Sequence, residues 1–300
     1  MALIGTIQGA WRKNSPEIRG LFNGALPEFV RSVRPNERLE GIPVFCYHLV
    51  DAEPFEADLQ HLAANGYVTI HGSDLVRHLR DEQALPERSV LLTFDDGPRN
   101  FHDVAFPLLL KFQARVTAFV APGLHVDASS ELDIEDRPMT WQEIEAIGRS
   151  GLVEFQSHTL ESRFVPDWPA PVPLCGCRLD LEAQRRGTPI GLRDDLAQSC
   201  RVLEARLPGR PVTQLAFPAY EGSAAGVDAA RDAGIEACYW GLRPGRALNR
   251  PGDSPYYISR ISDEYLRRLP GTGRISARAL LGTRLRRIQA GRERQRRVAG

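Results

Sequence analysis

From residue 42 onward, short apolar runs alternate with longer amphipathic stretches. This alternation is typical of strand–helix units around a mostly parallel sheet, because a strand buried on both faces is apolar throughout whereas its covering helix is apolar on one side only. The runs that predict strands are 42–47, 67–70, 89–94, 115–120, 152–155, 213–217, 235–240 and 256–261. The pattern therefore predicts an α/β fold, and a barrel of such units would use most of the 300 residues.

Composition divides the chain into three parts. We predict an N-terminal helical extension at 1–41, the barrel at 42–266 and an Arg-rich C-terminal tail at 267–300. The whole chain is neutral, with 38 basic and 38 acidic residues, but the tail contributes 11 − 1 = +10, which leaves 27 − 37 = −10 for residues 1–266. The acidic body argues against a nucleic-acid partner. The basic tail predicts peripheral contact with an anionic membrane, and a solvated, partly disordered tail is the alternative.

The sequence does not predict export. The first residues lack a basic segment, a continuous apolar segment and a small-residue cleavage site, so we expect no secretory signal. No apolar run reaches the roughly 18 residues that a transmembrane helix needs. The five Cys are odd in number and lack the spacing of a disulfide framework, which favours a reducing compartment. We therefore expect a cytoplasmic protein, at most peripheral to a membrane.

Two adjacent carboxylates, Asp95 and Asp96, follow the predicted strand at 89–94 and precede Gly-Pro. Barrel enzymes carry their catalytic side chains at the carboxyl ends of strands, although Asp-Asp-Gly-Pro alone is also compatible with a plain turn. The run Thr-Phe-Asp-Asp-Gly-Pro at 93–98, with Ser-His-Thr at 157–159, resembles the first two motifs of the polysaccharide deacetylase family, the NodB-like carbohydrate esterases. The resemblance covers about residues 42–265.

This resemblance implies a deformed (β/α)7 barrel of the TIM-like type. It also implies a divalent metal, usually zinc, that helps water to remove N-acetyl groups from amino sugars. Asp95 is then the general base, and Asp96 and His158 are metal ligands. The residue types suit these roles, because carboxylate and imidazole bind zinc well and a metal makes water a stronger nucleophile at neutral pH.

The second motif departs from the family pattern. The family places a second metal-binding His four residues after the first, and here that position is Ser162. Catalytic zinc normally has three protein ligands, so two would hold it weakly. Candidate third ligands are Glu161, Asp167 and His102, each of which has an ordinary structural or exposed role as its alternative.

The family's third motif is represented by Pro218, Ala219 and Tyr220. In the family this segment supplies a backbone N–H to the developing oxyanion, and a backbone donor does not depend on the side chain at Ala219. The family's late His, its usual general acid, is missing. His48 resembles the His that serves as acid in the subgroup acting on poly-N-acetylglucosamine, and a hydrogen-bonded core residue is its alternative.

The sequence thus predicts a hydrolase of a non-peptide C–N bond, a metal-dependent deacetylase of an N-acetylated polysaccharide or lipid-linked sugar. The alternative is a catalytically weak relative that binds a glycan or scaffolds polysaccharide synthesis. Asp95, Asp96 and His158 favour the enzyme, and Ser162 favours the alternative. A glycoside hydrolase is more distant, because its two carboxylates must face each other across the bond and adjacent residues do not do so easily.

Overall fold

A computed structural model describes residues 26–34, 38–127, 137–166, 190–243, 245–276 and 279–280. The predicted α/β barrel is confirmed, because every strand pairs in parallel with its neighbour. The strands are β1 (Val44–Tyr47), β2 (Val68–Ile70), β3 (Ser89–Phe94), β4 (Val116–Val120), β5 (Val153–Ser157), β6 (Gln214–Ala216), β7 (Ala237–Trp240), β8 (Ile258–Ser259) and β9 (Ile261–Ser262). Their order is β8-β7-β6-β5-β4-β3-β1-β9, and β2 pairs with β3 beside this path.

One short segment closes the barrel. β8 pairs with β7 and β9 pairs with β1, so residues 258–262 connect the two edges of the sheet. Arg260 is the single residue between these two strands, and it is among the largest fully buried side chains. The closing segment therefore places a buried cation at the carboxyl end of the barrel, where it needs a buried polar partner.

Helices cover the outside of the sheet. They are α1 (Glu28–Arg31), α2 (Ala52–Ala64), α3 (Gly72–Leu79), α4 (Phe106–Phe112, which continues a π-helical turn at Phe101–Ala105), α5 (Trp141–Gly148), α6 (Leu192–Arg206) and α7 (Ala224–Asp232). In α2 the residues Phe55, Leu59 and Leu62 are buried, as their helical spacing predicts. Helix α5 begins with a capping box in which Thr140 and Glu143 satisfy each other's backbone N–H groups. Among the described residues no helix combines the length and the apolar character needed to cross a bilayer.

A polar network fills the barrel near the amino ends of β5 and β6. Glu154 accepts hydrogen bonds from Thr117 and Gln214, and the Tyr239 hydroxyl donates to Gln214. The backbone N–H of Gly72 donates to Thr117, so the start of α3 lies directly against this network. These groups satisfy one another away from the carboxyl ends of the strands.

The segments flanking the predicted barrel pack against it. Phe29 belongs to the main hydrophobic core together with Leu266 and Leu280. Arg268 and Arg274 donate hydrogen bonds to backbone carbonyls within residues 29–33. The boundaries at 41 and 266 stay predictions, and most of the extension and of the tail lies outside the described residues.

Candidate active site

Asp95 lies at the carboxyl end of β3 in a buried ion pair. Its Oδ1 is 2.6 Å from Arg260 Nη1, and both side chains are almost inaccessible to solvent. Burial opposes ionisation, but the Arg260 guanidinium and, to a smaller extent, His158 and His48 hold the pKa of Asp95 well below its usual range. The thiol of Cys46 donates to the other oxygen, Oδ2, at 3.4 Å. Asp95 is therefore a fixed carboxylate with both oxygens occupied.

Asp96 and His158 form the second pair of the site. Asp96 Oδ1 is 3.4 Å from His158 Nε2, and both residues are buried. His158 Nδ1 is 2.8 Å from the Ala216 carbonyl, an acceptor that requires a proton on Nδ1 and leaves the Nε2 lone pair toward Asp96 when the ring is neutral. Burial opposes a charge on the imidazole, but the carboxylates of Asp95 and Asp96 raise the pKa of His158.

Asp96 points into the site because its backbone is left-handed. Its φ is 70°, and that of Gly97 is 64°. A non-glycine residue with positive φ is uncommon and costs on the order of 1 kcal/mol or more, and such residues cluster at functional sites. The turn sends the side chains of two consecutive residues, Asp95 and Asp96, to different partners, Arg260 and His158.

The loop after β5 is held by helix α6. The Leu160 backbone N–H donates to Asp195 Oδ1 at 2.9 Å, and the hydroxyls of Ser157 and Ser199 are 2.8 Å apart. Burial raises the pKa of Asp195 to about 6. Thr159 and Ser162 both have positive φ, 62° and 53°, and Ser162 is buried. The structure thus places a small hydroxyl, not an imidazole, in a tightly constrained turn.

His48 follows β1 and faces the turn at Pro218–Tyr220. Its Nδ1 is 3.4 Å from the Tyr220 hydroxyl, and the two rings meet edge to face. Ala219 and Tyr220 have φ of 55° and 66°, so two consecutive non-glycine residues adopt left-handed conformations there. Burial raises the pKa of Tyr220 well above its usual value, so its hydroxyl stays protonated. This turn brings the predicted oxyanion segment and the predicted acid to one side of the site.

Two of the candidate third ligands, Glu161 and His102, do not join Asp96 and His158 in a three-ligand group. Glu161 is bound by Arg163, with 2.6 Å between Oε2 and Nη2. His102 lies in the π-helical turn with its Nδ1 2.6 Å from Asp103 Oδ1, and its side chain is 37 % exposed. Asp167 lies outside the described residues. Their roles as ligands stay predictions.

Asp96 and His158 fit a divalent metal in two respects. They bring one carboxylate oxygen and one imidazole nitrogen together, and the backbone carbonyl of Ala216 orients the ring as outer-shell partners of metal-binding His do. Within the described part of the chain, no further His, Cys, Asp or Glu joins this pair to make a three-ligand group. The pair therefore supplies two protein ligands, one fewer than catalytic zinc normally has, so it would hold a metal weakly while leaving positions for water and substrate.

Sequence analysis missed two members of the site. Arg260 lies in the run at 256–261, where a charged residue inside an apolar strand was the available signal, because such a charge needs a buried partner. Cys46 directly precedes Tyr47 and His48, and in the sequence it is only one of five Cys that lack the spacing of a disulfide framework. Its proximity to Asp95 depends on the pairing of β1 with β3.

Comparison with known proteins points to one family. The family model described as polysaccharide deacetylase matches residues 82–238, which is more than half of the chain. A poly-beta-1,6-N-acetyl-D-glucosamine N-deacetylase of Escherichia coli K12 is 34% identical over 110 residues, which cover 34% of this chain and 16% of that protein. The protein of the same name from Staphylococcus epidermidis is 26% identical over 113 residues, covering 38% of this chain and 37% of its own. The chain thus matches well under half of either relative's length.

Solved structures share the fold. IcaB from Ammonifex degensii superposes with a TM-score of 0.61 and 25% identity, over 77% of this chain and 96% of that one. The BpsB deacetylase domain from Bordetella bronchiseptica gives a TM-score of 0.55 at 20% identity, over 76% and 98% of the two chains, which supports the fold alone. The motif residues, the closed parallel barrel and the matched family model together lead to one conclusion: this chain belongs to the polysaccharide deacetylase family.

Proposed function

We propose that the protein is a metal-dependent carbohydrate deacetylase that hydrolyses the amide of an N-acetylated sugar. The observation that carries this proposal is the pairing of Asp96 with His158 at the carboxyl ends of β3 and β5, directly beside the buried carboxylate of Asp95. The names of the E. coli and Staphylococcus relatives support an N-acetylglucosamine polymer as the substrate class, and a lipid-linked N-acetylated sugar has the same reacting group.

In this proposal Asp95 is the general base. Arg260 keeps it ionised, and the buried ion pair fixes the direction of its oxygens. A fixed carboxylate accepts the proton of an attacking water without having to reorganise first. Arg260 acts through the base and is therefore a positioning residue.

His48 is the proposed general acid, which gives a proton to the departing amine. The Tyr220 hydroxyl, 3.4 Å from its Nδ1, orients the imidazole. The Tyr220 amide already donates to the Phe217 carbonyl at 3.1 Å, so we assign the Ala219 amide as the donor to the developing oxyanion. The left-handed backbone at Ala219 and Tyr220 supports a functional role for this turn.

Asp96 and His158 are the proposed metal ligands, and zinc is the ion that this donor pair and the family favour. When bound, the metal supplies a lowered pKa for water and polarises the substrate carbonyl. The two residues contribute one negative charge and one neutral nitrogen, and the Ala216 carbonyl keeps the imidazole in the tautomer that can coordinate.

The test is acetate release from N-acetylglucosamine oligomers. We expect activity that a chelator removes and zinc restores. Replacing Asp95 with Asn is expected to lower kcat by about 10²- to 10⁴-fold, the usual contribution of a general base. The matched control is Asp228→Asn, an Asp in α7 whose side chain is 72% exposed and lies 3.6 Å from Arg231, and it is expected to retain activity. Glycan binding without acetate release at any metal concentration would instead favour the non-catalytic alternative.

We also propose that the Arg-rich tail, residues 267–300, contacts anionic membranes. Three of its 11 Arg are already engaged in the fold, since Arg267 pairs with Asp58 and both Arg268 and Arg274 bind backbone carbonyls. The proposed contact therefore rests on the Arg residues after position 280. A cytoplasmic location, as expected from the sequence, is part of the same proposal.

A further inference from the structure

Strand register brings three metal-binding side chains together next to the proposed base. Cys46 lies in β1, and His48 comes two positions later, just past the end of that strand. In the register of β1 with β3, Cys46 pairs with Thr93 and Tyr47 pairs with Phe94. His48 therefore comes level with Asp95, the residue after Phe94.

The donor atoms of this group are close enough to share one ion. One ligand atom each from Cys46, His48 and Asp95 all lie within 4.8 Å of one another. The Cys46 Sγ and Asp95 Oδ2 are 3.4 Å apart, whereas Arg260 occupies Oδ1 and leaves Oδ2 directed to the thiol. Cys46 and Asp95 are buried and His48 is half-buried, which gives the group one side that is open to solvent.

We propose that Cys46, His48 and Asp95 form a second metal site, selective for thiophilic divalent ions such as Cd²⁺ and Zn²⁺, and that a metal bound there blocks hydrolysis. This site is distinct from the Asp96 and His158 pair, and neither the family model nor the relatives' names assign it. That filling it stops hydrolysis rests on the proposed function, since the ion would hold both the base and the acid.

The required rearrangement is small. Tetrahedral zinc with bonds of about 2.3 Å to sulfur and about 2.0 Å to nitrogen sets these atoms about 3.5 Å apart. The sulfur-to-oxygen distance of 3.4 Å already meets a similar requirement. Binding forms a sulfur–metal bond, breaks the S–H bond and releases that proton to solvent, while the metal gives up bound water. The new thiolate and the Asp95 carboxylate each bring one negative charge to the two positive charges of the ion. The Asp95 carboxylate also remains paired with Arg260.

Thiolate is what makes the site selective. Soft ligands favour Zn²⁺ and Cd²⁺ over hard ions such as Mg²⁺, which prefer oxygen. Two divalent ions in adjacent buried sites would bring four positive charges beside Arg260, against the two carboxylates and one thiolate. The repulsion at low dielectric makes the two sites compete. Activity is therefore expected to rise and then fall as the concentration of a thiophilic metal increases.

The experiment is a Cd²⁺ titration followed by the thiolate-to-metal charge-transfer band in the ultraviolet. Cys175 and Cys177, outside the described residues, are replaced by Ser in every protein used. In this background we expect the band to saturate at one equivalent of Cd²⁺ per chain. The matched control Cys238→Ser, which removes a thiol buried in β7, is expected to behave in the same way. Cys46→Ser is expected to lose the band. Asp96→Asn is expected to keep it.

The outcomes separate this proposal from the proposed function. No band in the starting background, or a band that persists in Cys46→Ser, overturns the second site even if the protein is an active deacetylase. A band that appears in a protein without activity in any metal leaves the second site standing and contradicts the proposed function. In an active protein, Cys46→Ser is expected to raise the Cd²⁺ concentration that gives half-inhibition by more than about tenfold. Loss of an outer-shell partner alone lowers metal affinity by at least about tenfold, and Cys46 is a direct ligand in this proposal.

One further measurement guards against misfolding of the variant. Cadmium NMR on the unsubstituted Cys46 protein distinguishes sulfur ligation from purely nitrogen and oxygen ligation by chemical shift. A shift without sulfur character contradicts the site, whatever the stability of Cys46→Ser.

Discussion

The ion pair between Arg260 and Asp95 gives the sharpest prediction about the fold. Both side chains are at most 2 % exposed, and their charged atoms are 2.6 Å apart. Removing one partner of a buried pair leaves an uncompensated charge, which typically costs about 3–5 kcal/mol of stability. Arg260 also donates to the Trp240 carbonyl and lies against the rings of Phe119 and Tyr220, so Arg260→Met is expected at the upper end.

A double-mutant cycle isolates the pair from those other contacts. Arg260→Met and Asp95→Asn are each expected to destabilise by about 3–5 kcal/mol, whereas the double variant leaves no buried charge and loses much less than the sum. We expect a coupling energy of at least about 2 kcal/mol, within the range for close charge pairs. The control cycle uses Arg250 and Glu40, whose side chains are 52% and 81% exposed although 2.8 Å apart. Its coupling is expected to stay below about 1 kcal/mol.

The assay is urea unfolding followed by tryptophan fluorescence, with a chelator present so that metal binding does not contribute. Unchanged slopes of free energy against urea are needed before the midpoints are compared. Coupling below about 0.5 kcal/mol at Arg260 and Asp95, within the additivity error of distant sites, would refute the buried pair and the closure of the barrel that positions it.

Four further changes test other parts of the molecule. His125 is buried and its pKa is lowered from 6.5 to about 4 because burial disfavours the charged ring, so the unfolded state binds its proton first. The neutral His125 therefore makes its full contribution to the free energy of unfolding above pH 6.5, and this contribution, up to about 3 kcal/mol, is lost as the pH falls toward 4. His125→Leu should remove this part of the pH dependence in urea titrations. Gly72→Ala would place a methyl group 2.7 Å from the Tyr239 hydroxyl and should cost about 1–3 kcal/mol in the same assay, whereas Gly191→Ala, with its nearest atom at 3.9 Å, should be tolerated. Ser162→His should tighten zinc binding measured by competition with a chelator, and unchanged affinity would show that this turn does not face the metal. Deleting residues 281–300 should reduce cosedimentation with anionic vesicles without lowering the melting temperature, and undiminished cosedimentation would contradict the membrane contact.

Most strands of the barrel were predictable from sequence because they are buried on both faces; β2, whose Val68 is 44% exposed, is the exception. Each predicted run overlaps an observed strand, including the run at 256–261, which the structure divides into β8 and β9 around Arg260. The division follows from closure, since one half pairs with β7 and the other with β1. Periodicity along one segment carries no information about such distant pairing.

The site was predictable where a local motif specifies it. Asp95, Asp96 and His158 lie together as the motifs indicate, and His48 faces Tyr220 across 172 positions of sequence. The partners of these residues were not predictable in the same way. Arg260 reaches Asp95 over 165 positions, and this contact depends on the geometry of the whole barrel.

The metal content of the purified protein tests the central proposal most directly. In the Cys46→Ser background, which removes the second site, we predict that the protein equilibrated with free zinc binds about one zinc per chain, the stoichiometry of a single catalytic site. Asp96→Asn and His158→Gln should each lose that zinc, whereas the exposed Asp228→Asn should retain it. Equal zinc content in all of these proteins, or no zinc in any of them, would contradict a metal held by Asp96 and His158.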